Sequence, residues 1–342
     1  MPTANGGELN EAAHRFLAAD LGRDYRVRRV SGDASFRSYY RVERGTDRFI
    51  LMDAPPDRED SRPFVDIAAF LSDHRVPVPR IHAARLETGH LLLEDFGDIT
   101  LLQALNAGQA PLPLYHRAID TLVGMQTTPR DGRTLAHGRE FDRTLLRAEL
   151  ALFTDWYLER VLQCPLSAAQ RDAYEAAFAP LLAEVLSQPR VFVHRDYHSR
   201  NLMVRADGSL GVLDFQDALM GPVTYDLASL LRDCYVAWDA PFRQEIMAYW
   251  LERAPVSLGH ARDWNAFQRQ FDFMAIQRNL KAIGIFGRLS RRDGKHGYLA
   301  DIPRTFGYVW ETLPRYKELA PLAELIQQHA PKEAVLQAVC PS

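Results

Sequence analysis

The chain has 342 residues, 47% hydrophobic and 25% charged, which are globular proportions that exclude a disordered polypeptide; the length suits two lobes around a cleft better than one core. Lysine and arginine total 41 against 44 acidic residues, a formal net charge of −3 that gives no electrostatic reason to expect nucleic acid as a partner. Three scattered cysteines, Cys164, Cys234 and Cys340, form no CxxC pair and predict neither a zinc site nor a disulfide framework. The first twenty residues are punctuated by Glu8, Glu11, Arg15 and Asp20, and no apolar run is long enough to cross a bilayer. The expectation is a cytoplasmic chain with no membrane contact and no obligate protein partner.

In chain order, Leu9, Ala13, Phe16, Leu17 and Leu21 recur at helical spacing and predict an amphipathic opening helix over Glu8–Leu21. Three short strands are expected at Val30–Asp33, Ser38–Val42 and Arg48–Met52, with turns at 33–37 and 44–47. Basic clusters at Arg26–Arg29 and Arg288–Lys295 read as solvated segments or a local anion site. A helix over Pro63–Leu71 follows, and Val76-Pro77-Val78-Pro79 must be extended. Leu91–Leu93 forms a strand that runs into Glu94-Asp95-Phe96-Gly97-Asp98, a polar, glycine-bearing stretch suited to a hinge. Beyond it the periodicity is helical over 101–107, 114–127, 141–162, 167–186 and much of 225–250 and 264–286. Short strands at Val191–Val193, Leu202–Val204 and Leu210–Leu213 interrupt that half, with Asp207-Gly208 as the turn between the last two. The fold class expected is α+β, two-lobed: a β-rich lobe over 1–93, a hinge over 94–99 and a helical lobe over 100–342.

One constellation carries chemistry. Val191-Phe-Val-His194-Arg-Asp196-Tyr-His198-Ser-Arg-Asn201 is followed, twelve residues after the asparagine, by Leu213-Asp214-Phe215. Phosphoryl transfer needs a carboxylate to orient and deprotonate the attacking hydroxyl, which Asp196 offers. It also needs oxygen ligands that hold Mg²⁺ against the phosphates of ATP, which Asn201 and Asp214 offer. Asp and Asn also populate ordinary turns. The string, the intervening hairpin and the strand-then-Asp-Phe together point to a kinase.

The same residues, with Gly221-Pro222-x-x-Tyr225-Asp226-Leu227-Ala228, resemble the aminoglycoside phosphotransferase and choline kinase superfamily of protein-kinase-like enzymes. Over about residues 25–305 the chain is also similar to bacterial kinases that phosphorylate the anomeric hydroxyl of N-acetylmuramate and N-acetylglucosamine in peptidoglycan recycling. Ser31–Arg41, Ile50–Pro56 and Gln277–Lys295 carry that likeness. The resemblance implies that His194 braces the metal-binding segment and that Asp226 accepts hydrogen bonds from the catalytic-loop backbone. His198 either touches substrate or caps the loop.

For the nucleotide, Ser35, Phe36 and Arg37 lie in a loop that holds one glycine, Gly32, where a phosphate-covering turn is expected; an ordinary hairpin fits the same residues. Glu94 and Phe96 would offer hinge backbone and an apolar wall to adenine. Kinases of this fold usually carry a third-strand lysine; here Met52 stands in its place, so Arg37 or Arg41 supplies the cation or nucleotide binding is weak. For the acceptor, Glu149, Phe153, Trp156 and Tyr157 share a helical face, a carboxylate with aromatic planes fit to hold a sugar, although Phe153 and Trp156 also fit a core. Arg278, Lys281 and Arg288 read first as surface charges and otherwise as cations for a lactyl carboxylate. Two rivals remain: a kinase for another hydroxylated metabolite or an aminoglycoside, and a nucleotide-binding pseudokinase.

Overall fold

The computed structural model describes residues 9–30 and 36–338. Helix α1 (Glu11–Leu21) is capped by the Asn10 side chain, which accepts from the Ala13 amide at 2.8 Å. It lies on a five-stranded antiparallel sheet of β1 (Arg26–Arg29), β2 (Ser38–Arg44), β3 (Asp47–Asp53), β4 (Ile81–Arg85) and β5 (His90–Glu94), ordered β1-β2-β3-β5-β4. Strand alternation divides the sheet's side chains between two cores. Tyr40, Val42, Leu51 and Leu92 pack with Ala13, Phe16 and Leu17 of α1, while Met52, Leu91 and Leu93 join the core that runs through the rest of the molecule. The first strand lies earlier than Val30–Asp33, and residues 31–35 fall outside the described set. The arginines of 26–29 concealed it: they form an edge strand whose charged side chains face solvent while Val27 pairs with Val42.

Helix α2 (Arg62–Asp73) brings Phe64 against Phe215, ring centroids 4.8 Å apart, and Phe70 against Phe192. The small lobe is thereby fastened to the segment that bears Asp214. The large part contains α3 (Leu101–Asn106), α4 (Pro111–Gln126), α5 (Arg143–Leu152), α6 (Ala168–Ser187), α7 (Tyr225–Leu231), α8 (Ala240–Arg253) and α9 (Trp264–Asp293). The helices α10 (Ile302–Thr312), α11 (Ala320–His329) and α12 (Lys332–Gln337), which periodicity did not indicate, complete it. Two small ladders sit among these helices: β6 (Arg190–Val193) with β9 (Leu219–Pro222), and the hairpin β7 (Leu202–Val204) with β8 (Leu210–Val212). The partner strand β9 is an addition to the sequence expectation. Among the described residues no helix is long and apolar enough to cross a membrane.

The helix expected over 141–162 is α only as far as Leu152; Phe153–Val161 is π-helical, closing i→i+5. This stretch packs against α9 with backbones nearly touching. A Cβ on Gly284 would sit 2.3 Å from the Leu152 carbonyl carbon, and one on Gly287 would sit 3.1 Å from the Trp156 oxygen. Glycine is required at the first position because any side chain there meets main chain that cannot yield.

Candidate active site

The catalytic segment leaves β6 at Val193 and is held from beneath. The Asp226 carboxylate accepts the amides of His194 at 2.7 Å and Arg195 at 3.0 Å. Burial pushes that carboxyl up to about 6, against the opposing pull of His194 and the two amides. The Asp196 amide donates to His194 Nδ1 at 3.2 Å, so His194 Nε2 carries the proton it donates to the Leu213 carbonyl at 2.8 Å. One imidazole therefore ties the loop bearing Asp196 to the residue preceding Asp214. Arg195 (φ 80°) and Asp214 (φ 63°) both adopt left-handed backbone, a strain of about 1–3 kcal/mol each that the surrounding hydrogen bonds must sustain.

Asn201 opens the hairpin that returns Asp214 to the loop. Its Nδ2 donates to the Asp196 carbonyl at 3.0 Å and lies 3.5 Å from Asp214 Oδ2; the Leu213 amide donates to the Asn201 carbonyl at 2.9 Å. Gln216 Nε2 donates to Asp214 Oδ1 at 2.7 Å. Two oxygen-bearing side chains thus converge from adjacent strands. No cluster of three or more His, Cys, Asp or Glu side chains fit for a metal occurs among the described residues. A pair suits Mg²⁺, which keeps most of its coordination for water and phosphate oxygens.

Asp196, Asn201 and Asp214 open onto one cleft of about 580 Å³, bounded on the other side by Val30, Tyr39, Arg41, Ile50, Leu93 and the stretch Glu94–Asp98. Glu94 and Phe96 both line it. Glu94 binds Arg205 at 2.8 Å, and Phe96 lies beneath the Arg205 guanidinium and over Gly211, where a Cβ would meet its ring at 2.3 Å. Arg41 also reaches the cleft, with its donors committed to Asp95 at 2.9 Å, Gly97 O at 3.0 Å and Asp98 at 2.5 Å, so it pins the stretch Asp95–Asp98 to β2. Met52 is fully buried core. Arg37 is not in the cleft lining; it pairs with Glu59 at 3.2 Å just ahead of α2, and burial opposes its charge while Tyr39, Glu59 and Asp214 raise its pKa. Phe36, 61% exposed beneath Arg58, lies away from the cleft wall, and Ser35 lies outside the described residues.

The residues expected to hold an acceptor lie farthest from expectation. Glu149 does not line the cleft. It is buried, accepting from Arg195 at 2.7 Å and Gln277 at 3.0 Å with Lys281 Nζ at 3.1 Å; burial would lift its pKa, but Lys281 and then Arg195 hold it down. Trp156 is half-buried on the π-helical stretch and is likewise not in the lining, while Phe153 and Tyr157 pack into the core against Phe306. Glu149, Phe153 and Tyr157 keep the shared face their spacing predicts, but it is turned to the core, and Trp156 falls beside it. Arg278 and Lys281 are buried residues of the cleft wall, and Arg288 is half-buried outside it. The aromatic wall comes instead from Tyr235, Phe286 and Tyr298: Phe286 and Tyr298 stack at 5.6 Å, and Arg200 lies 3.6 Å above Tyr235. Nothing in the sequence placed Tyr235 or Tyr298 here; the close spacing of Gly284 and Gly287 was the available sign that α9 is buried on this side. His198 lines the same wall, its ring edge-on to Tyr235 and its Nδ1 buried without a partner; burial lowers its pKa.

Asp196 is therefore a carboxylate among cations. Burial would raise its pKa, but Lys281, His198, Arg278 and Arg195 outweigh burial and hold it at about 2. A carboxylate that shares a cleft with an oxygen-bearing pair fits phosphoryl transfer, and residues 26–264 match the phosphotransferase enzyme family. The chain belongs to that family. This phosphotransferase is 44% identical over 300 residues, 87% of each chain, to an N-acetylmuramate/N-acetylglucosamine kinase of Pseudomonas putida. It is 38% identical over 309 residues, 89% of this chain and 90% of the other, to one of Neisseria meningitidis. Its fold matches the solved structure of a Plasmodium vivax ethanolamine kinase with a TM-score of 0.64 at 11% identity, covering 93% of this chain and 99% of that one. The protein is a kinase, and as such uses a nucleotide.

Proposed function

We propose that this phosphotransferase moves the γ-phosphoryl group of ATP onto the anomeric hydroxyl of N-acetylmuramate, N-acetylglucosamine or both, in cytoplasmic reuse of peptidoglycan sugars. The observation that carries the reading is the cationic acceptor wall around Asp196. Arg278 and Lys281 in the cleft lining, with Arg195 behind them beside Asp196, repel a polycationic aminoglycoside or a quaternary amine and favour a neutral or acidic sugar. The likeness to the two amino-sugar kinases supports the same acceptor.

In this reading the sheet up to residue 93 covers the nucleotide, 94–99 is the hinge and the remainder holds catalysis and acceptor. Asp196 orients the hydroxyl. As the sugar oxygen bonds to the γ-phosphorus, the bond to the β,γ-bridging oxygen breaks, ADP departs with that electron pair, and the hydroxyl proton passes to Asp196. A carboxyl near 2 is a weak base, which suits a hemiacetal hydroxyl, more acidic than an ordinary alcohol because the ring oxygen withdraws charge. Asn201 and Asp214 would hold Mg²⁺, which when bound neutralises charge on the phosphate oxygens. His194 and Asp226 keep both halves of this set in register. Arg37, paired with Glu59 at the edge of the cleft and close enough to Asp214 to feel its charge, would take the part of the absent third-strand lysine.

ADP release, measured against N-acetylglucosamine, N-acetylmuramate, choline and an aminoglycoside, tests the reading. Turnover is expected with the N-acetylated sugars only; preferential turnover of choline or the aminoglycoside would overturn it.

A further inference from the structure

Three cations surround Asp196, buried Arg278 and Lys281 and half-buried Arg195, and they are not equivalent. Arg195 and Lys281 share the carboxylate of Glu149, at 2.7 and 3.1 Å, and Lys281 also donates to the Tyr225 hydroxyl at 3.0 Å. Arg278, one helical turn before Lys281 on α9, is only 5% exposed and lines the cleft. Its Nε and Nη1 are buried with no hydrogen-bond partner, and it makes no ion pair among the described residues. The carboxylate of Asp233, the acidic group whose field reaches it from the loop after α7, is engaged by the amides of Ser199 at 2.9 Å and Tyr235 at 2.8 Å. A guanidinium removed from water and left unsatisfied is costly to keep, so its natural partner is an anion that arrives with the ligand.

We propose that Arg278 is the specificity-determining residue that reads a carboxylate on the acceptor and discriminates N-acetylmuramate from neutral sugars. The inference rests on the amino-sugar reading above and adds to it the group that senses acceptor charge. The lactyl ether of N-acetylmuramate is attached at C3, two carbons from the anomeric C1. A residue that reads it must therefore stand within a sugar's width of the catalytic carboxylate, and Arg278 shares the cleft with Asp196 and acts on its ionisation. Planar guanidinium donors match carboxylate geometry better than an ammonium does.

The test is the ratio of kcat/KM for N-acetylmuramate to that for its lactyl methyl ester, with N-acetylglucosamine as the neutral reference. Taking the ratio within each protein cancels any change that the loss of Arg278 makes at Asp196 itself. Wild type should prefer the acid by about 10- to 100-fold, the worth of a hydrogen bond to a charged group. Arg278→Gln should bring acid and ester within about threefold, and Arg278→Lys should restore part of the preference. Turnover of the ester by Arg278→Gln shows that the variant is folded. Retention of the acid preference in Arg278→Gln, or equal acid and ester rates in the wild type, overturns the proposal and leaves the kinase assignment intact. No turnover of any of the three sugars by the wild type overturns the amino-sugar reading and this inference with it.

Discussion

Glu149→Gln removes one negative charge and almost nothing else, and the structure makes its consequence calculable. The carboxylate, 5% exposed, faces Arg195 at 2.7 Å and Lys281 at 3.1 Å. At an effective dielectric of about 20 each pair is worth roughly 5–6 kcal/mol of attraction. Desolvation of the ions offsets much of that, so the assembled cluster adds little net stability. Breaking it is another matter. The amide leaves buried Lys281 and half-buried Arg195 with Asp196 as their remaining counter-charge, and removing one partner of such a pair costs about 3–5 kcal/mol. Urea unfolding followed by the fluorescence of the five tryptophans should show a loss of that size. Turnover should fall as well, because Arg195 and Lys281 then draw Asp196 away from the acceptor hydroxyl. A loss below about 1 kcal/mol with unchanged kcat would refute the claim that Glu149 sets the charge balance of the catalytic loop.

Asp196→Asn should lower kcat by about 10²–10⁴-fold, as a displaced proton acceptor does, with nucleotide binding nearly intact. Because the folded pKa of Asp196, about 2, lies below its ordinary value, its ionisation stabilises the fold above roughly pH 4, and that contribution is lost as the pH falls towards 2. The stability difference between wild type and Asp196→Asn should therefore shrink over that window and stay flat from pH 5 to 8; a change between pH 5 and 8 would contradict the placement of the cations. Asp214→Ala should weaken magnesium-dependent ATP binding more than tenfold, measured calorimetrically, while binding equal to wild type would remove it from the metal site. Arg37→Ala and Glu59→Gln should both raise KM for ATP and slow transfer; unchanged kinetics in the pair would mean that the phosphate-facing cation lies elsewhere.

The catalytic segment was legible because its chemistry is local: five residues from Asp196 to Asn201, a hairpin marked by Asp207-Gly208, and an apolar strand before Asp214. The central strands were legible from alternation, but neither edge strand was named: Arg26–Arg29 carries no apolar signature beyond Val27, and Ile81–Arg85 is largely exposed or half-exposed. The acceptor wall was not legible, for two physical reasons. Glu149, Phe153 and Tyr157 do share a face, as their spacing says, but that face packs into the core against α9 and Phe306 and does not open on the cleft. Helix α9 is buried on nearly every side, so Arg278 and Lys281 read as surface although they line an interior cleft. Polarity in a sequence does not separate a solvated face from one that lines a site; only the contact geometry around Gly284 and Gly287 does.

The central claim is transfer to the anomeric hydroxyl, and the fate of the reducing end tests it most directly. Phosphorylation at C1 locks the ring, whereas phosphorylation at any other hydroxyl leaves the aldehyde form available. During incubation with ATP and N-acetylglucosamine, reducing-end reactivity should disappear mole for mole with ADP release, and the product should show phosphorus coupling to the anomeric proton. ADP release with full retention of reducing ends would contradict the account.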